Sequence, residues 1–440
     1  MVITFFKRFA GKITNFNIFE IGNSVILYHL LIFYSVPFIA LFGISTKVMF
    51  VDYKIPWLAL GYAAAGLLAF IIGYFTRLGS YFAEKTPNIF IGVWNQKKVK
   101  IAFWAFFIIG TANRIIRIAG GGYFTAYNVS PLFSGSLFYG LVGYLDWFWY
   151  IALVIAFINY YKLKKESGDY KKWRLLAFGV LMIEIFYGAP TCSRIAVIVP
   201  ILLYLLVKSF VFKIKYLQIG FVFLLMALIL FPFGDICRNF SLLNVYQILD
   251  SSPGNHGQAN YSAIKIENIG GFIMDSFWGR VNRSFVFSKI LSAPRADISS
   301  YGSSLSNFFS TLGPPKFLWP NKPLSVNSLG NSIGHSLGVL YPEDSKTSIG
   351  PTLIGDFYMI SGILGIILGM FFMGALSRFI YDYLIKLTNV SSSGLMIYSI
   401  FWVQVIQGMD NWVAPVWASL IKFFILLTAA HLFLAAKKTN

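Results

Sequence analysis

The stretch "YKLKKESGDYKKWR", residues 161–174, decides the fold. It packs six Lys or Arg side chains into fourteen positions, and an apolar run flanks it on each side, at 138–160 and 175–190. A basic hairpin between two apolar runs is what the positive-inside rule expects of a cytoplasmic loop joining two membrane helices. A spanning helix needs about 20 apolar residues, and runs near that length recur in both directions from this loop. They fall at 23–45, 55–77, 101–119, 194–211, 216–234, 352–377, 394–409 and 414–435. The runs are continuous rather than ten-residue alternations, so they read as helices and not as strands of a barrel.

Composition agrees. The chain is 57% hydrophobic and 18% aromatic, with only 12% charged residues, and its mean hydropathy is +0.68. A water-soluble domain cannot hide that much apolar surface. The net charge of +19 does not signal a nucleic-acid partner, because much of it sits in short loops between spans; membrane lipids are the expected surroundings. No cleavable signal pattern precedes the first span. The expected fold is therefore an all-α integral membrane protein with about ten transmembrane helices. Lys/Arg counts place the N-terminus, the loops around Lys97–Lys100, 161–174, Lys213–Lys215 and 378–386, and the tail Lys437–Lys438 on one side. That makes both termini cytoplasmic.

The chain then divides into residues 1–234 with seven spans, a long extracytoplasmic loop at 235–350, and residues 351–440 with three more. The loop is exempt from the charge rule because of its length. It holds an amphipathic stretch, "MDSFWGRVNRSFVFSKIL" (274–291), a proline-rich turn, "GPPKFLWPNKPLS", and a glycine-spaced segment around "NSIGHSLG". Its aromatic content suits a lid of short amphipathic helices packed on the membrane surface.

Arginines gather on the side opposite the lysines. Arg114 and Arg117 end the third span, Arg194 opens the sixth, Arg238 follows the seventh, and Arg280, Arg283 and Arg295 lie in the loop. Spacing of three puts two guanidiniums on one helix face, and the chain uses it at 114/117 and at 280/283. Guanidinium forks onto phosphate oxygens, so a converging set suits a diphosphate. The plain alternatives are snorkelling to head groups and pairing with acids. Asp146 and Glu184 lie inside spans near that side, where charges usually face the protein interior. They read as counter-ions to the arginines, with contact to a sugar substrate as the second reading. Asp275 is the local acid to pair with Arg280 and Arg283. Candidate general bases are Asp356, His335, Asp235, Asp275, Glu343 and Asp344; His256 reads as a loop histidine. Neither a nucleotide-binding glycine loop nor a D-x-D metal motif occurs, and the two overlapping G-x-S-x-G matches around Ser332 and Ser336 lack the α/β context that a nucleophile needs. Cys192 and Cys237 show no metal spacing.

The layout resembles the Wzy-type polymerases of bacterial O-antigen and capsular polysaccharide. The likeness rests on ten or so spans with one late periplasmic loop, on "GAPTCSRIAVIVP" as a span opening, and on "PPKFLWPNKP…SIGPTLIGDFYMISGILGI" as the return from loop to membrane. Where that family often has G-S-R, this chain has Cys192-Ser193-Arg194. The resemblance implies a GT-C-type glycosyltransferase of the bacterial inner membrane, with its active site on the periplasmic face and no metal or other cofactor. It implies glycans linked to undecaprenyl diphosphate as donor and acceptor, and a polysaccharide chain-length regulator as a candidate partner. On that reading Arg194, Arg280 and Arg283, then Arg238, Arg114 and Arg117, hold the diphosphate, and Asp356 or His335 takes the acceptor proton. Asp146, Glu184 and Asp275 would face the sugars. An O-antigen ligase shares the layout, and a lipid-linked oligosaccharide flippase is the alternative of another class.

Overall fold

The computed structural model describes residues 17–41, 56–119, 138–189, 194–212, 216–230, 282–299, 326–340 and 349–435, with a few single positions between them. Among these described residues fourteen helices are numbered in chain order. They are α1 (Ile21–Leu41), α2 (Pro56–Phe75), α3 (Arg77–Lys85), α4 (Gln96–Ala119), α5 (Phe138–Lys165), α6 (Lys171–Gly188), α7 (Arg194–Val211) and α8 (Tyr216–Leu225, continued by a π turn, Met226–Leu230). Then come α9 (Ser284–Ser292), α10 (Arg295–Ser299), α11 (Val326–Ser336), α12 (Thr352–Tyr381, continued by a π turn, Asp382–Lys386), α13 (Ser392–Gly408) and α14 (Val413–Leu434). Among the described residues there is no strand, only an isolated bridge between Trp94 and Ala435.

Among the described residues six segments are long and apolar enough to cross a membrane: Ile21–Phe38, Trp57–Lys85, Gln96–Ala119, Arg194–Val211, Thr352–Lys386 and Val413–Leu434. The all-α membrane class is thus met. Four of the ten expected spans are not among the six, two of them for a physical reason. α6 carries four charges in 18 residues. α13 has 17 residues.

α13 is the axis of the bundle. Nearly every residue from Ser392 to Val405 is buried, because α14, α5, α1 and α7 surround it. A helix enclosed by protein has no need of a polar face, and none is seen. The closest helix pair is α2 with α12. Gly66, Gly73 and Gly374 line that seam, and a Cβ on Gly73 would strike the carbonyl oxygen of Phe371. Small residues let backbones approach where lipid offers no hydrophobic drive to associate.

The expected continuous span at 352–377 is broken. Ser361 (φ −146°, ψ 21°) and Gly362 (φ 64°, ψ −145°) leave helical geometry, and only glycine adopts that second conformation without strain. The chain doubles back there, so that Gly365 and Gly369 lie against Phe357. Residues 352–360 form a short half-helix beside the spanning half. A second, smaller core covers it: Val286, Ile290, Ile298 and Ile333 from α9, α10 and α11, with Leu337 just after α11, pack on Met359 and Trp412. Each such side chain, once buried, contributes roughly 1.5–3 kcal/mol.

Neighbouring helices run antiparallel and sort the charges to two ends. Gln96 bonds Asn159 at one end of the α4–α5 pair and Asn113 bonds Asp146 at the other. Lys98 reaches the carbonyl of Ala435 at the end of α14, so the turns before α4 and after α14 share one end, rich in lysine. The opposite end carries the arginines and most of the acids discussed next.

Candidate functional site

Two clusters lie at the arginine-bearing end. The first is built by α4, α5 and α6. Arg114 reaches Glu184 at 2.6 Å, and their side chains are 6% and 2% exposed. The guanidinium is sandwiched between the rings of Trp149 and Tyr187, 4.2 and 4.1 Å from their centroids. Tyr150 of α5 stands beside Glu184. One turn on, Arg117 pairs with Asp146, which also accepts a 2.7 Å bond from the Asn113 amide. The spacing of three does bring both arginines to one side of α4. Asp146 and Glu184 therefore serve as counter-ions to arginine. Arg114 is enclosed, and its role is to hold three helices together; Arg117, 41% exposed, has a solvent-facing part. Arg194 is the first residue of α7 and is 9% exposed. The end of α6 packs beside it, with Gly188 against Ala196.

The second cluster joins the loop to the bundle. Arg283 is the residue that precedes α9. It does not stand on a helix face, as the 280/283 spacing had led us to expect, because the helix starts only at Ser284. Its backbone N–H donates to the carbonyl of Ile32 at 2.9 Å. Its guanidinium lies 3.2 Å from Asp410, which also accepts a 2.7 Å bond from the Tyr28 hydroxyl. Burial works against the charge of Arg283, while Asp410 and Tyr28 favour it; the balance raises its pKa, so it stays cationic. Arg295, exposed, lies over the reversal of α12, with its guanidinium about 3.4 Å from where a Cβ of Gly362 would stand.

Asp356 is fully buried, and its carboxylate accepts the N–H of Val413 at 2.7 Å, capping the start of α14. This is a structural task, and it removes Asp356 from the groups a substrate could reach. His335 is half-buried near the end of α11. Ser332 and Ser336 fall inside the same helix. Arg238, Arg280, Asp275, Asp235, His256, Glu343, Asp344, Cys192 and Cys237 lie outside the described residues. Among the described residues no group of three or more His, Cys, Asp or Glu is placed to hold a metal ion.

Sequence reasoning missed Asp410 and Tyr28. The available signal was an acid in the tight turn "QGMDNWVAP" (407–415) between two apolar runs, on the side where the long loop begins and ends. α13 touches both clusters, packing on α5 and α7 of the first and on α1 and α12 of the second.

Residues 132–409 match the family described as "Domain of unknown function (DUF8712)", and the chain belongs to that family. No curated protein and no solved structure matches it.

Proposed function

We propose that the protein is a glycosyltransferase of the inner bacterial membrane that polymerises oligosaccharide repeat units carried on undecaprenyl diphosphate. The observation that supports this reading is the placement of Arg117, Arg194, Arg283 and Arg295 toward one end of an all-helical membrane bundle, with short loop helices packed on α12 at that end. In this reading the bundle has ten spans in a GT-C-like arrangement. Both termini are cytoplasmic, and the arginine end faces the periplasm.

The chemistry asks for positive charge where a sugar–phosphate bond breaks. The anomeric carbon of the growing glycan bonds to a hydroxyl oxygen at the non-reducing end of the acceptor unit. The old bond's electrons pass to the lipid diphosphate, and a base takes the hydroxyl proton. Preorganised donors aimed at the developing charge contribute about 3–4 kcal/mol each in comparable sites. Arg283, fixed by Asp410 yet 30% exposed, and Arg117 are suited to that role, and Arg194 and Arg280 are the further candidates for it. Arg114 positions α4 and α6 from within. His335 is the general base of this scheme, a role that contributes about 10²–10⁴-fold. Sugars would pass between the arginine end and the lid formed by α9 to α11.

The test is reconstitution. Purified protein in lipid is supplied with an undecaprenyl-diphosphate-linked repeat unit, and products are resolved as a ladder. Arg283→Ala should lower polymer formation about 10²–10³-fold while the chain still folds. A normal ladder from that variant, or transfer to a lipid A–core acceptor alone, refutes the polymerase reading.

A further inference from the structure

A cleft of about 770 Å³ opens at the opposite, lysine-bearing end, between the close of α2, α3 and the close of α12. Three cations line it, Arg77, Arg378 and Lys386, against one acid, Glu84. Arg378 is fixed from below: its Nε bonds Asp382 at 2.9 Å and Ser80 at 3.2 Å, and its Nη1 stands 3.7 Å from Glu20. Arg77 and Lys386 are exposed and have no ion-pair partner among the described residues. The cleft thus combines one immobilised cation with two exposed cations that make no ion pair among the described residues.

Its surroundings are those of a membrane interface. α3 is a nine-residue amphipathic helix that buries Gly79, Ser80 and Ala83. It leaves Tyr81 and Phe82 each 54% exposed, and Tyr81 also lines the cleft. Such a helix, with aromatic and basic residues outward, lies in the plane of the head groups. The helices leading to the cleft present bare apolar side chains: Leu68 and Ile72 on α2, and Leu368 and Phe372 on α12, are 60%, 48%, 56% and 58% exposed. A soluble anion would have no use for that flank, whereas acyl chains would lie along it.

We infer that this cleft is a binding site for the phosphate head group of an anionic phospholipid, with Arg77, Lys386 and Arg378 on the phosphate and the acyl chains along α2 and α12. The site is independent of the proposed sugar chemistry, since it sits at the other end of the bundle and shares no residue with it. Each basic side chain near an anionic lipid surface adds about fivefold in affinity, so removing two weakens binding by about thirtyfold.

The experiment is native mass spectrometry of the delipidated full chain in detergent, titrated with phosphatidylglycerol or with phosphatidylcholine. Wild type should retain phosphatidylglycerol in preference, and Arg77→Gln/Lys386→Gln should lose that preference about thirtyfold. A control, Lys97→Gln/Lys100→Gln, removes equal charge from exposed positions outside the cleft and should keep it. Retention by the cleft variant equal to wild type overturns the proposal. So does an equal loss in the control, which would mean diffuse attraction. Displacement of the lipid by millimolar glycerol phosphate would also overturn it, assigning the cleft to a soluble phosphate instead.

Discussion

Removing either partner of the Arg114–Glu184 pair should harm the protein more than removing both. The pair is deeply enclosed, at 6% and 2% side-chain exposure. Arg114→Met leaves a carboxylate in that environment with no counter-charge, and Glu184→Leu leaves a guanidinium. Breaking a buried pair from one side costs about 3–5 kcal/mol. Arg114→Met also gives up the faces of Trp149 and Tyr187, a further ~0.5–2 kcal/mol. The double variant strands no charge, so its loss reduces to the ring contacts and repacking, about 1–2 kcal/mol. Unfolding entropy of about 2.1 cal/mol/K per residue, over a chain of 440 residues, gives ~0.9 kcal/mol/K. Glu184→Leu should then lower the melting temperature by about 3–5 °C, Arg114→Met by about 4–8 °C and the double by about 1–2 °C. Thermal denaturation in detergent, followed as loss of the monodisperse peak on size exclusion, reads this directly. Additive losses, with the double variant the least stable of the three, would refute the claim that the two charges exist to neutralise each other.

Two further outcomes follow from geometry. Asp356→Ala should lower stability by about 1–2 kcal/mol through loss of the α14 cap, while Asp356→Asn, which keeps an acceptor oxygen, should recover most of it in the same melting assay. Gly73→Ala should lower the melting temperature because its Cβ meets the backbone of Phe371, whereas Gly61→Ala on the same helix meets nothing within 4 Å and should leave it level or raise it slightly; equal effects would sink the close-approach argument for α2 and α12.

Much of this was legible from residue types alone. The membrane class follows from apolar run length, and the arginine end from the contrast between lysine-rich and arginine-bearing loops. That Asp146 and Glu184 hold arginines follows from the cost of a lone charge within a span. The pairing itself, Glu184 with Arg114 and Asp146 with Arg117, needed helix rotation, which local sequence does not encode. Asp410 escaped notice because a turn acid is ordinarily solvated, and only the arrival of Arg283 from a distant segment makes it a partner. The expected span at 55–77 stops where α3 begins, because the nine amphipathic residues beyond the extended backbone at Thr76 are too few and too polar to read as a spanning helix. The reversal at Gly362 was hidden: "SGILGIILG" reads as a membrane helix, and only tertiary packing reveals that its glycines accept the returning half. The family match, 132–409, also starts after α2, although α2 is the main partner of α12. An excised fragment with those limits would strip its longest helix of support.

The α2–α12 seam also imposes a schedule on biosynthesis. Ser80, just past α2, and Asp382, just past α12, bond each other across 302 positions of chain. At about 5–20 residues per second, the ribosome needs some 15–60 s to deliver the second after the first. Throughout that interval the glycine face of α2 stands in the bilayer without its mate, offered to any helix that passes. Release of a finished molecule thus depends on keeping that face unoccupied, and a chain truncated before α12 would expose it permanently, marking the product for membrane proteolysis.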